Sequence, residues 1–552
     1  MNASMESHCI PFHEIPHTTN LFSTFLEDFR RVADYYAHPP TIEGIAEASR
    51  EVRLDPVVRS AVVEVLREQN SRFSPGGKLD AETARNLDRL AAGAVAIVTG
   101  QQVGLFSGRA FSIYKALSII RCAEEMSRRG TEAVPVYWMA TEDHDLAEVN
   151  HAFWNTRDGL VRLELPIGEE DKGRPTGEVV LGEGIEAIVA TAVSGLAGEF
   201  AGEIGAALRE SYTPSETYAS AFGKLMSRLL AGRGLIFTDP LDARFHRVAG
   251  AILERAVRES EPLRDALLER SRELEAAGFH AQVKVTPETT LLFARSAGRR
   301  EAVRGRNGGF VIGERELSAG ALLKAIEIEP ELFSPSALLR PIVQDTLLPT
   351  AAYLGGPAEI AYLAQAQVVY KRLLGRMPAV LPRASFSIVE PPIARLMSQY
   401  ELSVADIVAG SQHLRSRMEQ KSLPQTLAAR FDATETTLRE LLKSCEDPLA
   451  KLDSTLVEAL HATEAKMLHQ LTQLKGKVAR AEGFRSGVIA RHERALGDSL
   501  WPNGGLQERS LCLLPFLAMR GRGLLDDLEN LAQIPDSTGS VDCAHGHRVV
   551  IP

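Results

Sequence analysis

Three short segments of this sequence carry residue types and spacings that can do chemistry. The first is Thr99-Gly-Gln-Gln-Val-Gly-Leu-Phe-Ser-Gly108. Gly100, Gly104 and Gly108 let a backbone turn sharply and approach a ligand closely, and Gln101 and Gln102 offer neutral amides. A helix following such a loop aims free N–H groups and its positive dipole end at a carboxylate or phosphate. The spacing matches neither a Walker A loop nor a GxGxxG fingerprint, and a tight turn without a ligand fits it equally well. Tyr114 and Lys115 fall one to two turns into that helix. A lysine facing the loop would meet a phosphate as a point charge, whereas one facing outward would be solvated.

The second segment is Thr141-Glu-Asp-His-Asp145. Glu142, Asp143, His144 and Asp145 are the catalytic candidates, able as a group to bind Mg²⁺, orient a substrate amine or act as a general base. On an extended segment, Glu142 and His144 share one side and Asp143 and Asp145 the other. An acidic turn capping a helix at 146–151 is the bland alternative, but four polar groups directly after a buried strand favour function. The third segment, Gly355-Gly-Pro-Ala-Glu359, is another glycine turn. Gly355 and Gly356 shape it, and Glu359 would contact substrate or stabilise the helix dipole. Arg383 and Ser385, just beyond Pro382, are placed to touch an anion, although an arginine paired to a surface carboxylate fits nearly as well. Cys543-Ala-His-Gly-His547 superficially suggests a metal, but three ligands at that spacing without a fourth read as a polar turn, and no metal is assigned.

The elements that must position these segments show as changes of texture. Gly93-Ala-Val-Ala-Ile-Val-Thr-Gly100 is a short apolar run, the pattern of a buried parallel strand. A helix is expected over 111–129, closed by Gly130, and a second buried strand over 133–140. Strand, loop, helix, strand is a βαβ unit, which puts Glu142–Asp145 at a strand's C-terminal end, where ligands of α/β sheets collect. Further core strands are expected at 234–239, 347–354 and 380–388. The predicted organisation is a helical segment over 1–90, an α/β core over 91–390 with insertions at about 151–232 and 242–346, a helical domain over 391–500, and a C-terminal segment, 501–552, returning to the core. The second insertion is expected to hold one long helix, 242–277, and short strands at 281–285, 290–293 and 310–312. Leu449, Leu452, Leu456, Leu460, Met467, Leu471, Leu474 and Val478 recur at helical spacing and form an apolar seam, read as a hairpin that also dimerises.

Bulk properties bound the function. With 552 residues the chain is long enough for roughly three or four domain-sized pieces. Apolar residues make up 45% and charged residues 24%, as in ordinary globular proteins. A net charge of −10 argues against nucleic-acid binding, which needs a basic surface. No apolar run reaches the ~18 residues of a membrane span, and no secretory signal precedes the body, so the expected location is the cytoplasm. Five cysteines without a CxxC pair fit a reducing compartment better than a disulfide framework.

TGQQVGLFSG followed by YKALS, then PVYWMATEDHDLAEVNH, closely resembles the signature region of the bacillithiol-synthesis cysteine-adding enzyme family. The likeness continues at GLIFTDP, AAYLGGPAEIAYLAQ, MPAVLPRASFSIVE and WPNGGLQER, and so runs nearly the whole chain. It implies a Rossmann-like core similar to class I aminoacyl-tRNA synthetases, with inserted connecting-peptide segments and an α-helical coiled-coil domain associated with homodimers. It implies ATP, with Mg²⁺, as substrate and activator, and a ligase reaction that joins cysteine to glucosaminyl-malate to give bacillithiol. The class I HxGH and KMSKS motifs are absent, and Gly104–Gly108 and Pro382–Ser385 stand in their approximate places. Whether cysteine passes through an adenylate or an acyl phosphate therefore stays open. The alternative from another class is a non-catalytic nucleotide- or thiol-binding protein on a ligase-like core.

Overall fold

The computed structural model describes residues 6–156, 159–421, 425–536 and 546–551. The chain divides into two compact units, one of residues 1–387 and 508–548, the other of 388–507 and 549–552.

The first unit is built on a five-stranded parallel sheet. The strands Val95–Gln101, Ala133–Met139, Ile236–Thr238, Thr350–Gly355 and Ala379–Pro382 lie in the spatial order fifth, fourth, first, second, third. The first two are buried along nearly their whole length, as continuous apolar runs require when helices cover both faces. Chain order reverses between the first and fourth strands, which opens a crevice at their C-terminal ends. The helix Phe111–Arg128 follows the first strand and Pro357–Leu373 follows the fourth, so the two N-termini flank that crevice. The first helix appears where the sequence places it and is closed by Gly130 at φ +90°.

The sheet edge at Ile236–Thr238 is covered by the helix Pro56–Phe73, whose Asp55 cap accepts from the N–H groups of Val57 and Val58. Asn70 on that helix donates Nδ2–H to the Phe237 carbonyl and accepts the Phe237 N–H, both at 2.8 Å, and so takes the part of a neighbouring strand. Gln69 does the same for Asp239 at 2.9 Å. The edge is thereby closed to further pairing.

Two insertions frame the crevice. Residues His151–Thr156 and Gly159–Glu164 pair as an antiparallel hairpin, followed by three helices between Gly184 and Leu229. The expected single helix at 242–277 is two, Ala243–Arg258 and Ser260–Ala276, broken at Glu259. Pro262 in the first turn of the second helix lacks the N–H that an unbroken helix would use. The strands beyond form a five-stranded antiparallel sheet from Thr289–Ser296, Arg299–Arg306, Gly309–Ile312, Arg315–Leu317 and Phe333–Pro335. The strand expected at 281–285 is a loop instead. Gln365 from the Pro357–Leu373 helix bonds both the N–H and the carbonyl of Val283, occupying the groups a strand partner would need.

The second unit is helical. Gln425–Ser444 packs against Thr455–Ser486, with Lys475 bonded to Asp432 at 2.7 Å and Arg439 3.4 Å from Glu464. The apolar seam does not lie on one helix, because the chain breaks at Asp453, whose side chain caps Thr455. Along it Leu452, Met467 and Leu474 stay exposed. Of the cysteines, Cys122, Cys445 and Cys512 are free, whereas Cys9 is disulfide-bonded. The expectation of a reducing compartment rather than a disulfide framework meets an exception at Cys9, since a disulfide needs only two sulfurs close in space, which spacing along the chain does not show. Within the Cys543–His547 motif, residues 543–545 lie outside the described residues, and His547 is a buried strand residue.

Candidate active site

A cavity of about 490 Å³ opens at the C-terminal edge of the parallel sheet, over the point where strand order reverses. From the first glycine loop it takes Gly100, Gln101, Gln102 and, one turn into the helix, Lys115. The acidic segment supplies Glu142, Asp143 and His144. The second glycine turn supplies Gly356 and Glu359, and the end of the fifth strand supplies Arg383.

Lys115 joins the two glycine turns. Although a charged side chain, it is only 2% exposed, and its Nζ donates to the Gly100 carbonyl at 2.6 Å, to Gln101 Oε1 at 2.9 Å and to Glu359 Oε2 at 2.5 Å. Burial brings its pKa down to about 8. Glu359 also accepts from the Tyr353 hydroxyl at 2.6 Å and the Gly356 N–H at 2.8 Å. Burial pushes the Glu359 carboxyl up, but Lys115 and these donors more than reverse it, so the group sits below the usual carboxylate range. Arg340 completes the cluster by donating to Tyr362 at 2.7 Å and Tyr353 at 3.3 Å. Its partners are hydroxyls and the Gln344 amide, so among the described residues no carboxylate bonds it directly.

Arg383 makes a bidentate pair with the buried carboxylate of Glu508 at 2.7 and 2.9 Å. Its Nε has no hydrogen-bond partner among the described residues. A Cβ on Gly356 would lie 3.6 Å from that Nε, so glycine keeps the space beside it open.

The acidic segment is a turn, not an extended strand end: the Asp143 N–H bonds the Ala140 carbonyl. Glu142, Asp143 and His144 therefore all reach the cavity, and the expected alternation of sides does not hold. Asp143 accepts from Gln102 Nε2 at 2.8 Å and from the His144 N–H at 2.7 Å. His144 Nδ1 lies 3.2 Å from Arg300, which stacks on the Phe293 ring at 3.8 Å. Burial, helped by Arg300, holds the imidazole below its ordinary pKa. Burial likewise raises Glu142, which is 8% exposed.

Six of the residues singled out in the sequence stand apart from the cavity lining. Gly104 and Gly108 pack on each other: a Cβ on Gly104 would come within 2.8 Å of the Gly108 Cα. Between them Phe106 and Ser107 hold φ of +55° and +70°, pinned by the Tyr212 hydroxyl and by Cys512, whose Sγ lies 3.1 Å from the Phe106 carbonyl. Tyr114 is buried against Phe386. Asp145 caps the short helix Leu146–Val149. Gly355 closes the fourth strand behind Gly356. Ser385 donates to Glu508 at 2.8 Å and meets His547 Nδ1 at 2.7 Å, in a buried polar cluster where burial lowers the His547 pKa to about 4.

The cavity also gathers residues that were not singled out as site candidates. Tyr353 and Tyr362 flank the second glycine turn in sequence, and their spacing around it was the available signal. Arg509 lies in the stretch WPNGGLQER and Glu148 in PVYWMATEDHDLAEVNH, but Arg109, Arg300 and Arg340 lie outside the quoted motifs and arrive only through the fold.

The family model described as bacillithiol biosynthesis BshC, N-terminal Rossmann-like domain, matches residues 5–384, and that of the BshC C-terminal coiled-coil domain matches 386–539. A protein of Koribacter versatilis is 40% identical, with 95% of this chain and 97% of the relative aligned. One of Solibacter usitatus is 36% identical over 99% and 100%, and one of Salinibacter ruber 31% identical over 95% and 96%. Each bears the name "Putative cysteine ligase BshC".

Proposed function

Because this chain belongs to the BshC family of bacillithiol biosynthesis and is a ligase, we propose that it joins cysteine to glucosaminyl-malate with ATP as the activating substrate. The amine of the sugar attacks a cysteine carboxyl activated by a phosphoryl or adenylyl group, and an amide forms as that group leaves. The observation that carries this reading is that one cavity holds both kinds of charge. Lys115, Arg340 and Arg383 line it, with Arg383 Nε unpartnered among the described residues, and so do Glu142 and Asp143. The cations suit the nucleotide phosphates, and the carboxylates an amine.

Mg²⁺ enters this scheme with the phosphates. Among the described residues no cluster of three or more His, Cys, Asp or Glu side chains converges on a metal position, and Asp143 is engaged by Gln102 and a backbone N–H. Among the described residues no helix is long and apolar enough to cross a membrane. We place the reaction in the cytoplasm, where ATP and reduced cysteine are available, and assign homodimer contacts to the exposed apolar seam of the helical unit. The net charge of −10 supports small molecules over nucleic acid as partners.

The test is incubation of purified protein with cysteine, ATP, Mg²⁺ and glucosaminyl-malate, followed by thiol labelling and mass analysis. A new thiol with the mass of the amide is expected. Substrates recovered unchanged across pH, metal and reductant would overturn the assignment.

A further inference from the structure

Behind one wall of the cavity stands a histidine that no sequence motif marks. Glu142 Oε1 lies 3.6 Å from Nε2 of His246, on the helix Ala243–Arg258, and the two residues are 8% and 6% exposed. Nδ1 of His246 lies 3.1 Å from the Phe333 carbonyl. A carbonyl only accepts, so Nδ1 carries the proton of that bond and Nε2 is turned to Glu142. At 3.6 Å the imidazole edge bounds the carboxylate from behind and favours its ionised form, so the carboxylate is kept facing the cavity.

The neighbouring acidic groups are differently occupied. Asp143 is taken up by Gln102 and a backbone N–H, and the His144 ring nitrogen by Arg300. Asp145 is spent on a helix cap. Glu142 accepts no hydrogen bond among the described residues and lines the cavity. The charged groups around it are His246 on its helix, Arg300 on the Arg299–Arg306 strand, Arg340 on the helix Arg340–Leu347 and Asp239 after the third core strand. The first three favour its ionised form; burial and Asp239 oppose it.

We infer that Glu142 is the general base for the attacking amine and that His246 is the positioning residue behind it. This rests on the ligase reading above. The amine lone pair forms the new C–N bond at the activated cysteine carbonyl carbon. The nitrogen, now carrying excess positive charge, gives one proton to the Glu142 carboxylate. The bond from that carbon to the activating oxygen then breaks, and the phosphate group leaves with the electron pair. The carboxylic acid of Glu142 returns its proton to solvent through the open cavity.

Three variants test the assignment in the full chain, each checked for folding by thermal melting. Glu142→Gln keeps the shape and removes the base, so kcat is expected to fall by about 10²–10⁴ with KM for cysteine unchanged. Glu142→Asp, retaining a carboxylate, is expected to recover part of that rate. His246→Gln is expected to move the acid limb of the kcat–pH profile to higher pH, because Glu142 loses a neighbour that favours its charge. A merely structural histidine would lower the melting temperature and leave that limb in place. An inactive wild-type protein overturns the ligase reading and the base role with it. Amide formation by the wild type together with a fully active Glu142→Gln, a folded Glu142→Asp no faster than Glu142→Gln, or an unmoved limb in His246→Gln overturns this inference alone.

Discussion

The two glycine turns at the sheet edge look alike in sequence and behave differently in the fold. In the first, only Gly100–Gln102 reach the cavity, while Gly104–Gly108 turn inward and hold a buried, left-handed stretch of backbone. In the second, Gly356 and Glu359 both line the cavity, and Gly356 has φ of −86°, open to any residue. Glycine in the first turn answers a packing demand, since two backbones touch where a side chain would stand. In the second, Gly355 meets a packing demand of its own, a Cβ there coming within 2.9 Å of the Glu359 Cβ, but Gly356 leaves room beside Arg383 for something else. The difference teaches that glycine density marks a turn, and that position at a strand's C-terminal end decides whether the turn meets a ligand.

Lys115 ties the turns together, so its loss should give the largest effect. Lys115→Met leaves the Glu359 carboxylate buried without its cation, and a cost of about 3–5 kcal/mol is expected in urea unfolding. Wild-type stability in that variant would mean the turns are held independently. Gly104→Ala forces a Cβ to within 2.8 Å of the Gly108 Cα, for an expected loss of about 1–3 kcal/mol. The matching Gly356→Ala meets only ordinary contacts, at 3.5 and 3.6 Å, and should stay within about 0.5 kcal/mol of wild type. Its effect should appear instead as a raised KM. Equal destabilisation by both alanines would erase the distinction between the turns.

A pH titration sharpens the same comparison. Lys115 is protonated below about pH 8 and loses its charge above it. Binding of a non-hydrolysable ATP analogue, followed by calorimetry, should therefore weaken as pH rises through about 8. Lys115→Arg, charged throughout, should flatten that limb. A smaller effect than that of Gly104→Ala belongs to Tyr212→Phe, which removes the hydroxyl between the Gly104 carbonyl and the Ser107 N–H. A loss of about 0.5–1.5 kcal/mol with unchanged KM is expected. A change in KM would bring the inward half of the first turn back into the binding machinery.

The local patterns of this chain were legible without the fold. Short apolar runs gave core strands, helical spacing gave the helix behind the first, and the βαβ arrangement pointed Glu142–Asp145 to a sheet edge. Extended motifs such as TGQQVGLF with EDHD carried the family. What stayed hidden was whatever depends on contacts across long stretches of chain. The Arg383–Glu508 pair spans 125 positions, and Arg300 reaches His144 across 156. His246 faces Glu142 from a helix that follows a different strand. Periodicity reports which face of an element is buried, because that depends on neighbours three or four residues away. It does not report which distant side chain completes a hydrogen bond or neutralises a buried charge. Those pairings follow from the strand order that set the crevice, and only the tertiary structure decided them.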